Sequence, residues 1–511
     1  MIRRRRALVA LAAAVALTAG LSGCVSLFMP KPPPATSNPT SENVDPALQP
    51  FYSQILRWKA CGSGMQCSTA KAPLNWKEPA AGTIDLALVR HVTTDGSRVG
   101  SLLVNPGGPG GSGYDFVKDS LSYAVDKRLE KSFDIVGFDP RGVGRSSAVA
   151  CYDPAQMDQY LYSLTTAARG SDAWIAEMEA DATKFGAACD AQTGPLLGEV
   201  DTVSAARDLD LLRAVLGDAK LYYLGYSYGT YLGATYAELY PEKVGRLALD
   251  GALDPAASNF DVTRVQAQGF ESALRAYLKE CLSGSSCPFT GTVDDAMVTI
   301  RALLASVDVS PLNNEDGRQL GASTLLTAII YPLYQASAWP ALSQMFESVM
   351  HGDASIAFEF ADAYNGRNAD GTYADNSTEA FNAINCLDYS YDDDPASMRA
   401  QAAEIEAAAP TIGTYMSFGD ISCANWPFTS TVKRGEIHAP GAAPILVIGT
   451  TNDPATPYKW AQSLAKQLDS GHLVTYQGEG HTAYNKSNSC VNDAVDDYLI
   501  RGIVPAKDPL C

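Results

Sequence analysis

The chain has 511 residues, of which 46% are hydrophobic and 19% are charged, and its formal net charge at pH 7 is −19. Lysine and arginine cluster only at positions 3 to 6, so the chain lacks the basic patch that phosphate backbones require, and this argues against nucleic acid as a partner. The length exceeds that of one compact domain, which predicts a core carrying an insertion.

The N-terminal segment predicts export. Four arginines at positions 3 to 6 precede an apolar stretch, and Leu21-Ser22-Gly23-Cys24 then resembles a bacterial lipoprotein signal. Residues 1–23 are therefore predicted to be a signal peptide, with Cys24 lipidated after cleavage. An ordinary signal peptide and an N-terminal membrane helix are the alternatives, although the apolar run is short for a spanning helix. Loss of the four arginines shifts the formal charge from −19 to −23.

Residues 24–50 are rich in proline and serine and predict an extended tether between the membrane and the folded body. The predicted location is the outer face of the cell membrane, with release to the medium as the alternative. Nothing in the sequence sets an oligomeric state.

The cysteine count agrees with an oxidising compartment. Eleven cysteines are present, and setting Cys24 aside leaves an even number. Sequence does not fix their connectivity, but neighbour pairing predicts five disulfides, namely Cys61–Cys67, Cys151–Cys189, Cys281–Cys287, Cys386–Cys423 and Cys490–Cys511. No C-x-x-C and no histidine at ligand spacing is present, so we predict no metal and no cofactor.

Strand and helix patterns alternate through the first half of the chain. Apolar runs predict strands at 83–92, 100–104, 133–138, 221–225 and 244–249, and helical patterns between them include 203–216 and 228–240. This alternation is typical of a parallel sheet with crossover helices.

A glycine-rich loop, Asn105-Pro-Gly-Gly-Pro-Gly-Gly-Ser-Gly113, follows the second of these strands. A phosphate-binding loop is the alternative interpretation, but the Lys-Ser/Thr pair of a Walker motif is missing. We therefore expect the loop to supply one backbone N–H of an oxyanion hole, with the N–H of Tyr228 as the other.

The segment Gly225-Tyr226-Ser227-Tyr228-Gly229 joins an apolar strand to a helical pattern, which is the signature of a nucleophile elbow. This fold places the acid and then the histidine after the serine. Asp453 follows a strand beginning near 443, and His481 follows a strand beginning at 472, so both are predicted at strand ends. Ser227, Asp453 and His481 form the predicted triad; Asp250, which ends the strand 244–249, is the alternative acid.

From residue 256 to 439 the alternation stops and helical periodicity dominates, for example at 263–281 and 323–349, with a polar loop at 365–377. We predict an α/β fold: an α/β-hydrolase core made of residues 51–255 and 440–511, with a mostly parallel sheet, and a helical cap at 256–439 inserted over Ser227. Thr456 precedes Pro457 and a predicted helix, which indicates an N-cap that orients the Asp453 loop.

The motifs together resemble those of secreted actinobacterial tripeptidyl aminopeptidases, α/β-hydrolase serine peptidases related to proline iminopeptidases. The resemblance covers nearly all of the mature chain. The segments that carry it are Pro106–Gly110, Phe138–Ser147, Gly225–Gly229, Leu249–Pro255, Ala383–Asp388 and the Asp453 and His481 loops. Proline iminopeptidases usually begin the glycine loop with histidine, whereas this chain has Pro106, which favours the tripeptidyl branch.

The resemblance implies an exopeptidase that acts on peptides with free N-termini through an acyl-enzyme, and it implies Gly108 as the second oxyanion donor. An aminopeptidase needs a carboxylate to meet the substrate ammonium, because burying that charge unpaired is costly. Asp388 in the cap is our candidate, and a helix cap or solvated acid is the alternative. A carboxylesterase or lipase on the same scaffold, and a non-catalytic envelope lipoprotein, remain competing functions; the triad argues against the last.

Overall fold

The computed structural model describes residues 35–93 and 98–511. Nine strands form one sheet in the order β1-β2-β3-β5-β4-β6-β7-β10-β11. A separate hairpin holds β8 and β9. The strands are β1 (Lys59–Ala60), β2 (Met65–Pro73), β3 (Thr83–His91), β4 (Gly100–Asn105), β5 (Phe133–Phe138), β6 (Leu221–Tyr226), β7 (Val244–Asp250), β8 (Leu312–Asn313), β9 (Gln319–Leu320), β10 (Ile445–Asn452) and β11 (Gly471–Glu479).

The sheet is parallel from β5 to β11 and antiparallel from β1 to β5. The prediction of a mostly parallel α/β sheet is confirmed. Six neighbouring strands of the sheet run the same way, namely β5, β4, β6, β7, β10 and β11. Their carboxyl ends therefore lie along one edge, where such sheets carry their chemistry.

Helices cover both faces of the sheet, since each strand of a buried parallel sheet is apolar on both sides. In β7, Leu247 and Leu249 pack on one face with the helix that follows the elbow, and Ala248 packs on the other. The helices on the two faces are Gly113–Ala124, Lys127–Ser132, Thr202–Leu216, Tyr228–Leu239, Lys459–Gln467 and Ser489–Arg501.

Between β7 and β10 the chain leaves the sheet and builds a second core, in which Phe270, Leu325 and Phe346 are buried together. We call this insertion the cap. Its helices are Asn259–Cys281, Val293–Val309, Ala322–Leu333, Trp339–Met350, Ser355–Asn365, Ser377–Asp388, Pro395–Ala408, Gly413–Met416 and Ile421–Ala424. The β8–β9 hairpin departs from the expected all-helical composition, and the helix expected at 323–349 breaks after Leu333.

The sequence patterns did not predict β1, β2 or the helices Pro154–Tyr162 and Asp172–Thr193. These two helices precede β6, yet they pack with the cap: Trp174 is buried with Met398 and Ile421. The layer above the sheet edge is therefore built from two separate parts of the chain.

The predicted tether at 24–50 is wrong from Ala35 onward. Trp58 N–H donates to the carbonyl of Ala35 at 2.8 Å, and the buried guanidinium of Arg213 pairs with Glu42 at 2.6 Å. A short helix, Gln49–Tyr52, ends the segment. Arg213 also pairs with Asp210 at 2.8 Å, and Glu42 supplies a second carboxylate that ties residues 35–50 to the core. Residues 24–34, and with them Cys24, lie outside the described residues.

The ten cysteines that follow Cys24 form five disulfides, and the pairs are those expected from neighbour pairing: Cys61–Cys67, Cys151–Cys189, Cys281–Cys287, Cys386–Cys423 and Cys490–Cys511. Across residues 35–93 and 98–511, no helix combines the length and apolar character needed to span a bilayer.

Candidate active site

Ser227 lies in the tight turn between β6 and the helix Tyr228–Leu239. Its backbone has φ 55° and ψ −124°, a conformation that residues with a side chain rarely adopt. The turn closes only because Gly225 has no side chain: a Cβ there would come within 2.4 Å of the Gly229 carbonyl oxygen. The Ser227 N–H donates to the carbonyl of Asp250 at 2.9 Å, which fixes the turn to β7. The arrangement is that of a nucleophile elbow.

The glycine loop lies directly against this elbow. At Gly107 the backbone has φ +97°, and a Cβ there would meet Ser227 Cβ at 2.8 Å and Tyr228 N at 3.1 Å. The Gly107 N–H is used, since it donates to Asn105 Oδ1 at 2.9 Å. The N–H of Gly108 has no acceptor among the described residues, and Tyr228 begins its helix, so its N–H is one of the unsatisfied first-turn donors. These are the two donors expected for the oxyanion hole.

Asp453 and His481 meet at the carboxyl ends of β10 and β11. His481 Nδ1 lies 2.9 Å from Asp453 Oδ1 and 3.0 Å from Oδ2. Asp453 is fully buried as a side chain and His481 is 11% exposed. The carboxylate also accepts the backbone N–H groups of Ala455, Thr456 and Thr482 at 3.0, 2.8 and 3.1 Å. Such a network holds the carboxylate in place and fixes the ring with Nδ1–H toward the acid.

No hydrogen bond joins Ser227 Oγ to the His481 ring in this described site. Both residues nevertheless lie next to the carboxyl end of β7. A Cβ at Gly251, directly after that strand, would lie 3.2 Å from His481 Cε1, and the Ser227 N–H donates to the carbonyl of Asp250, the last residue of the strand. Catalytic hydrogen bonds often tighten only when substrate binds.

Asp250, the alternative acid, contacts the backbone after His481 and not the His481 ring. Its carboxylate accepts the backbone N–H of Ala483 at 3.0 Å and of Tyr484 at 2.8 Å. Burial raises the pKa of Asp250 to about 6. Asp250 therefore holds the loop that carries His481, whereas Asp453 holds the ring itself.

Thr456 does not cap a helix, contrary to expectation. The helix begins at Lys459, with Tyr458 at its N-cap position and no side-chain cap bond. The Thr456 hydroxyl instead donates to Asp453 Oδ2 at 3.0 Å and lies 3.2 Å from His481 Nδ1. The loop runs two residues further than the Thr-Pro pattern indicates, which leaves the hydroxyl to bridge the acid and the histidine.

The cap also reaches His481, and sequence reasoning missed this contact. The His481 N–H donates to the carbonyl of Tyr334 at 2.8 Å, and the two rings pack edge to face with centroids 5.4 Å apart. Tyr334 follows the helix Ala322–Leu333 directly, at the point where the expected long helix breaks. No local pattern marks it, because the contact spans almost 150 residues.

A cavity of about 250 Å³ opens beside Ser227. Its floor includes Gly108 and Tyr228 from the core, and its walls come mostly from the cap. We call it the substrate cavity. The cap residues that line it include Asn259, Gln266, Phe381, Asn385, Asp388 and Tyr391.

Asp388 lines this cavity and is only 1% exposed. Its carboxylate accepts the Thr202 N–H at 2.8 Å and the Thr202 hydroxyl at 2.6 Å. The Thr202 hydroxyl has one proton, so it accepts from the Tyr228 phenol, its other neighbour. Burial raises the pKa of Asp388 to about 7. Asp388 is therefore not a solvated acid. It accepts the first backbone N–H of the helix Thr202–Leu216, as the helix-cap alternative expected, and Thr202 also links it to the residue after Ser227.

Known proteins that resemble this chain include serine hydrolases, in agreement with the nucleophile elbow and the Asp453–His481 pair. A family model described as TAP-like protein matches residues 409–511. The serine protease Hip1 of Mycobacterium tuberculosis is 34% identical over 488 residues, which is 91% of this chain and 92% of the relative. Carboxylesterase B of M. tuberculosis is 34% identical over 510 residues, 96% of each chain. Tripeptidyl aminopeptidase of Streptomyces lividans is 30% identical over 475 residues, 89% of this chain and 86% of the relative. The chain therefore belongs to the TAP-like family of α/β-hydrolases and is a serine hydrolase.

Proposed function

We propose that the chain is an exported serine exopeptidase that releases short peptides, most readily tripeptides, from free N-termini. The observation that carries this proposal is Asp388, a buried carboxylate in the wall of the same small cavity as Ser227. Relatives named serine protease and tripeptidyl aminopeptidase support it.

The mechanism follows from the residues at the strand ends. His481, oriented by Asp453, takes the proton of Ser227 Oγ as the oxygen attacks the scissile carbonyl carbon. The negative charge that develops on the carbonyl oxygen is met by the N–H groups of Gly108 and Tyr228. His481 then protonates the leaving amine, which departs and leaves the released peptide esterified to Ser227. Water, activated by His481, hydrolyses that ester.

The small volume of the substrate cavity supports a short segment on the acyl side. Ligand-binding cavities generally begin at about 300 Å³, so a volume of about 250 Å³ suits a few residues with no chain beyond them. An ammonium that ends in this cavity needs a counter-charge, and Asp388 supplies it once ionised.

The test compares Ala-Ala-Ala p-nitroanilide with its N-acetylated form. Acetylation removes the ammonium charge and adds bulk where the cavity ends, so we expect the free peptide to be cleaved at least ~30-fold faster in kcat/KM. Asp388→Asn should lower this preference. Ser227→Ala should remove hydrolysis and labelling by a fluorophosphonate, while thermal unfolding stays unchanged.

A carboxylesterase is the second candidate, favoured by the relative named Carboxylesterase B. Serine acylation serves both reactions. Equal cleavage of the two anilides, together with rapid turnover of simple acyl esters, would replace the peptidase proposal with this one.

We further propose that lipidated Cys24 holds the protein at the outer face of the cell membrane. The lipobox at Leu21-Ser22-Gly23-Cys24 supports this. The five disulfides are consistent with an oxidising compartment.

A further inference from the structure

Arg434 lies in the wall of the substrate cavity with one end of its guanidinium unused. Its Nε donates to the carbonyl of Ala257 at 3.2 Å, and Nη2 donates to that of Asp254 at 3.4 Å. The third nitrogen, Nη1, is buried and has no partner in the described chain. A buried donor without an acceptor is unfavourable, and more so when it is charged. The site is thus equipped to donate one more hydrogen bond.

Two aromatic rings fix the plane of this guanidinium. Its Cζ lies 4.0 Å from the ring centroid of Tyr231 and 4.1 Å from that of Tyr389. Tyr231 belongs to the helix after the elbow, and Tyr389 directly follows Asp388. Arg434 is therefore held between the element that presents Ser227 and the element that presents Asp388, and stacking keeps its charge there without a carboxylate partner.

The charges in the cavity restrict what Nη1 binds. Asp388 lines the same cavity, but no ion pair joins it to Arg434, since its described partner is Thr202. An anionic group at Arg434 would meet the charge of Asp388 as well. A neutral carbonyl oxygen would not be repelled by Asp388. A peptide with a free N-terminus offers both an ammonium for Asp388 and carbonyl oxygens for Arg434.

We propose that Arg434 donates through Nη1 to a peptide carbonyl oxygen of the substrate's acyl part, upstream of the scissile carbonyl. This inference rests on the proposed exopeptidase function. Arg434 then acts as a specificity-determining residue: Asp388 receives the ammonium, Arg434 receives a backbone carbonyl, and the two fix the register in which the chain passes Ser227. A simple acyl ester has no second carbonyl and gains nothing from Arg434.

The experiment measures kcat/KM for free Ala-Ala-Ala p-nitroanilide and for p-nitrophenyl acetate in wild type and Arg434→Met. We expect the peptide-to-ester ratio to fall about 30-fold, because a charge-assisted hydrogen bond is lost for the peptide alone. Arg169→Met is the matched control. Arg169 also lies between two rings, at 5.1 Å from Trp174 and from Tyr415, with Nε buried and unpartnered, but in a neighbouring cavity. Its ratio should match wild type.

A second pair, Ala-Glu-Ala and Ala-Gln-Ala p-nitroanilide, separates a backbone carbonyl from a side-chain carboxylate. Equal losses for both peptides support the proposal, and a loss confined to the glutamate peptide overturns it. An unchanged ratio with Ala-Ala-Ala also overturns it while leaving the exopeptidase function standing. A wild-type enzyme that turns over the ester and no free peptide refutes the proposed function itself, and the inference with it. Should Arg434→Met not fold, Arg434→Lys keeps the charge but loses the planar fork, and the same fall is expected.

Discussion

The carboxylate of Asp250 accepts the backbone N–H of Tyr484 at 2.8 Å, three residues beyond the histidine of the site, and leaves the imidazole to Asp453. Two buried acids at neighbouring strand ends thus have separate tasks. Asp250 sets the position of the loop, and Asp453 sets the orientation of the ring.

Replacing each acid by its amide should separate these tasks. Asp453→Asn should lower kcat by roughly 10³- to 10⁴-fold, because the imidazole loses the partner that fixes its tautomer. Asp250→Asn should cost about 10-fold or less and should lower the thermal unfolding midpoint, since its loop contacts are only weakened. Steady-state kinetics and thermal unfolding of both variants provide the measurement. A larger loss of kcat from Asp250→Asn would show that Asp250 is the catalytic acid.

The approach of the glycine loop to the elbow should be intolerant of a single methyl group. Gly107→Ala would place a Cβ 2.5 Å from the Tyr226 carbonyl oxygen, so we expect loss of fluorophosphonate labelling by at least ~100-fold. Gly317→Ala is the matched control: its φ is +89°, but nothing lies within 4 Å of the added Cβ. Gly317→Ala should lower the stability by about 1 kcal/mol and should be labelled as fast as the wild type. Normal labelling of Gly107→Ala would contradict the proposed geometry.

Selectivity for a free N-terminus should depend on pH. The pKa of Asp388 is raised to about 7 by burial, so its ionised fraction falls as pH drops below that value. The substrate ammonium loses its proton above about pH 8. The ratio of kcat/KM for free over acetylated tripeptide anilide should therefore peak between about pH 7 and 8. Any change with pH in the chemical step that both substrates share cancels in this ratio.

Asp388→Asn should flatten this profile on its acid side, because the titrating carboxyl is gone. Arg434 and Asp201 also act on Asp388, the first lowering and the second raising its pKa. Measurement of the ratio from pH 5.5 to 9 in both proteins decides the matter. A wild-type ratio that stays constant below pH 7 would show that Asp388 does not bind the ammonium.

Membrane attachment should depend on the thiol of Cys24. Cys24→Ala removes the proposed lipid attachment site, so the protein should move from the membrane pellet to the soluble fraction after cell lysis. Ser26→Ala, two residues away, should stay in the pellet. Fractionation with immunodetection distinguishes the two, and a Cys24→Ala protein that still pellets would point to another anchor.

The parts of the fold that could be predicted are those with strong local patterns. β4, β6 and β7 are short segments rich in apolar residues, and their predicted bounds agree with the structure to within one residue. β2 was missed because its mixed residues, MQCSTAKAP, lack a clear alternation. It forms through pairing with β3 along nine residues rather than through its own sequence.

The site shows the same division. Ser227, Asp453 and His481 each follow a predicted strand, so the order of the elements was enough to predict them as a triad. Tyr334 and Arg434 carry no such signal. Arg434 lies in a polar stretch without periodicity, and only the folded chain brings its guanidinium between Tyr231 of the core and Tyr389 of the cap.

The Cys386–Cys423 disulfide ties together two stretches of chain that both face the substrate cavity. Cys386 stands between Asn385 and Asp388, and Cys423 itself lines the wall. In the unfolded chain, a cross-link over 37 residues removes loop-closure entropy worth about 4 kcal/mol at room temperature. Once this bond has formed, the two walls no longer have to find each other by diffusion. The disulfide therefore fixes the shape of the substrate cavity. Reductants that open this bond should abolish the discrimination between substrates before they unfold the sheet.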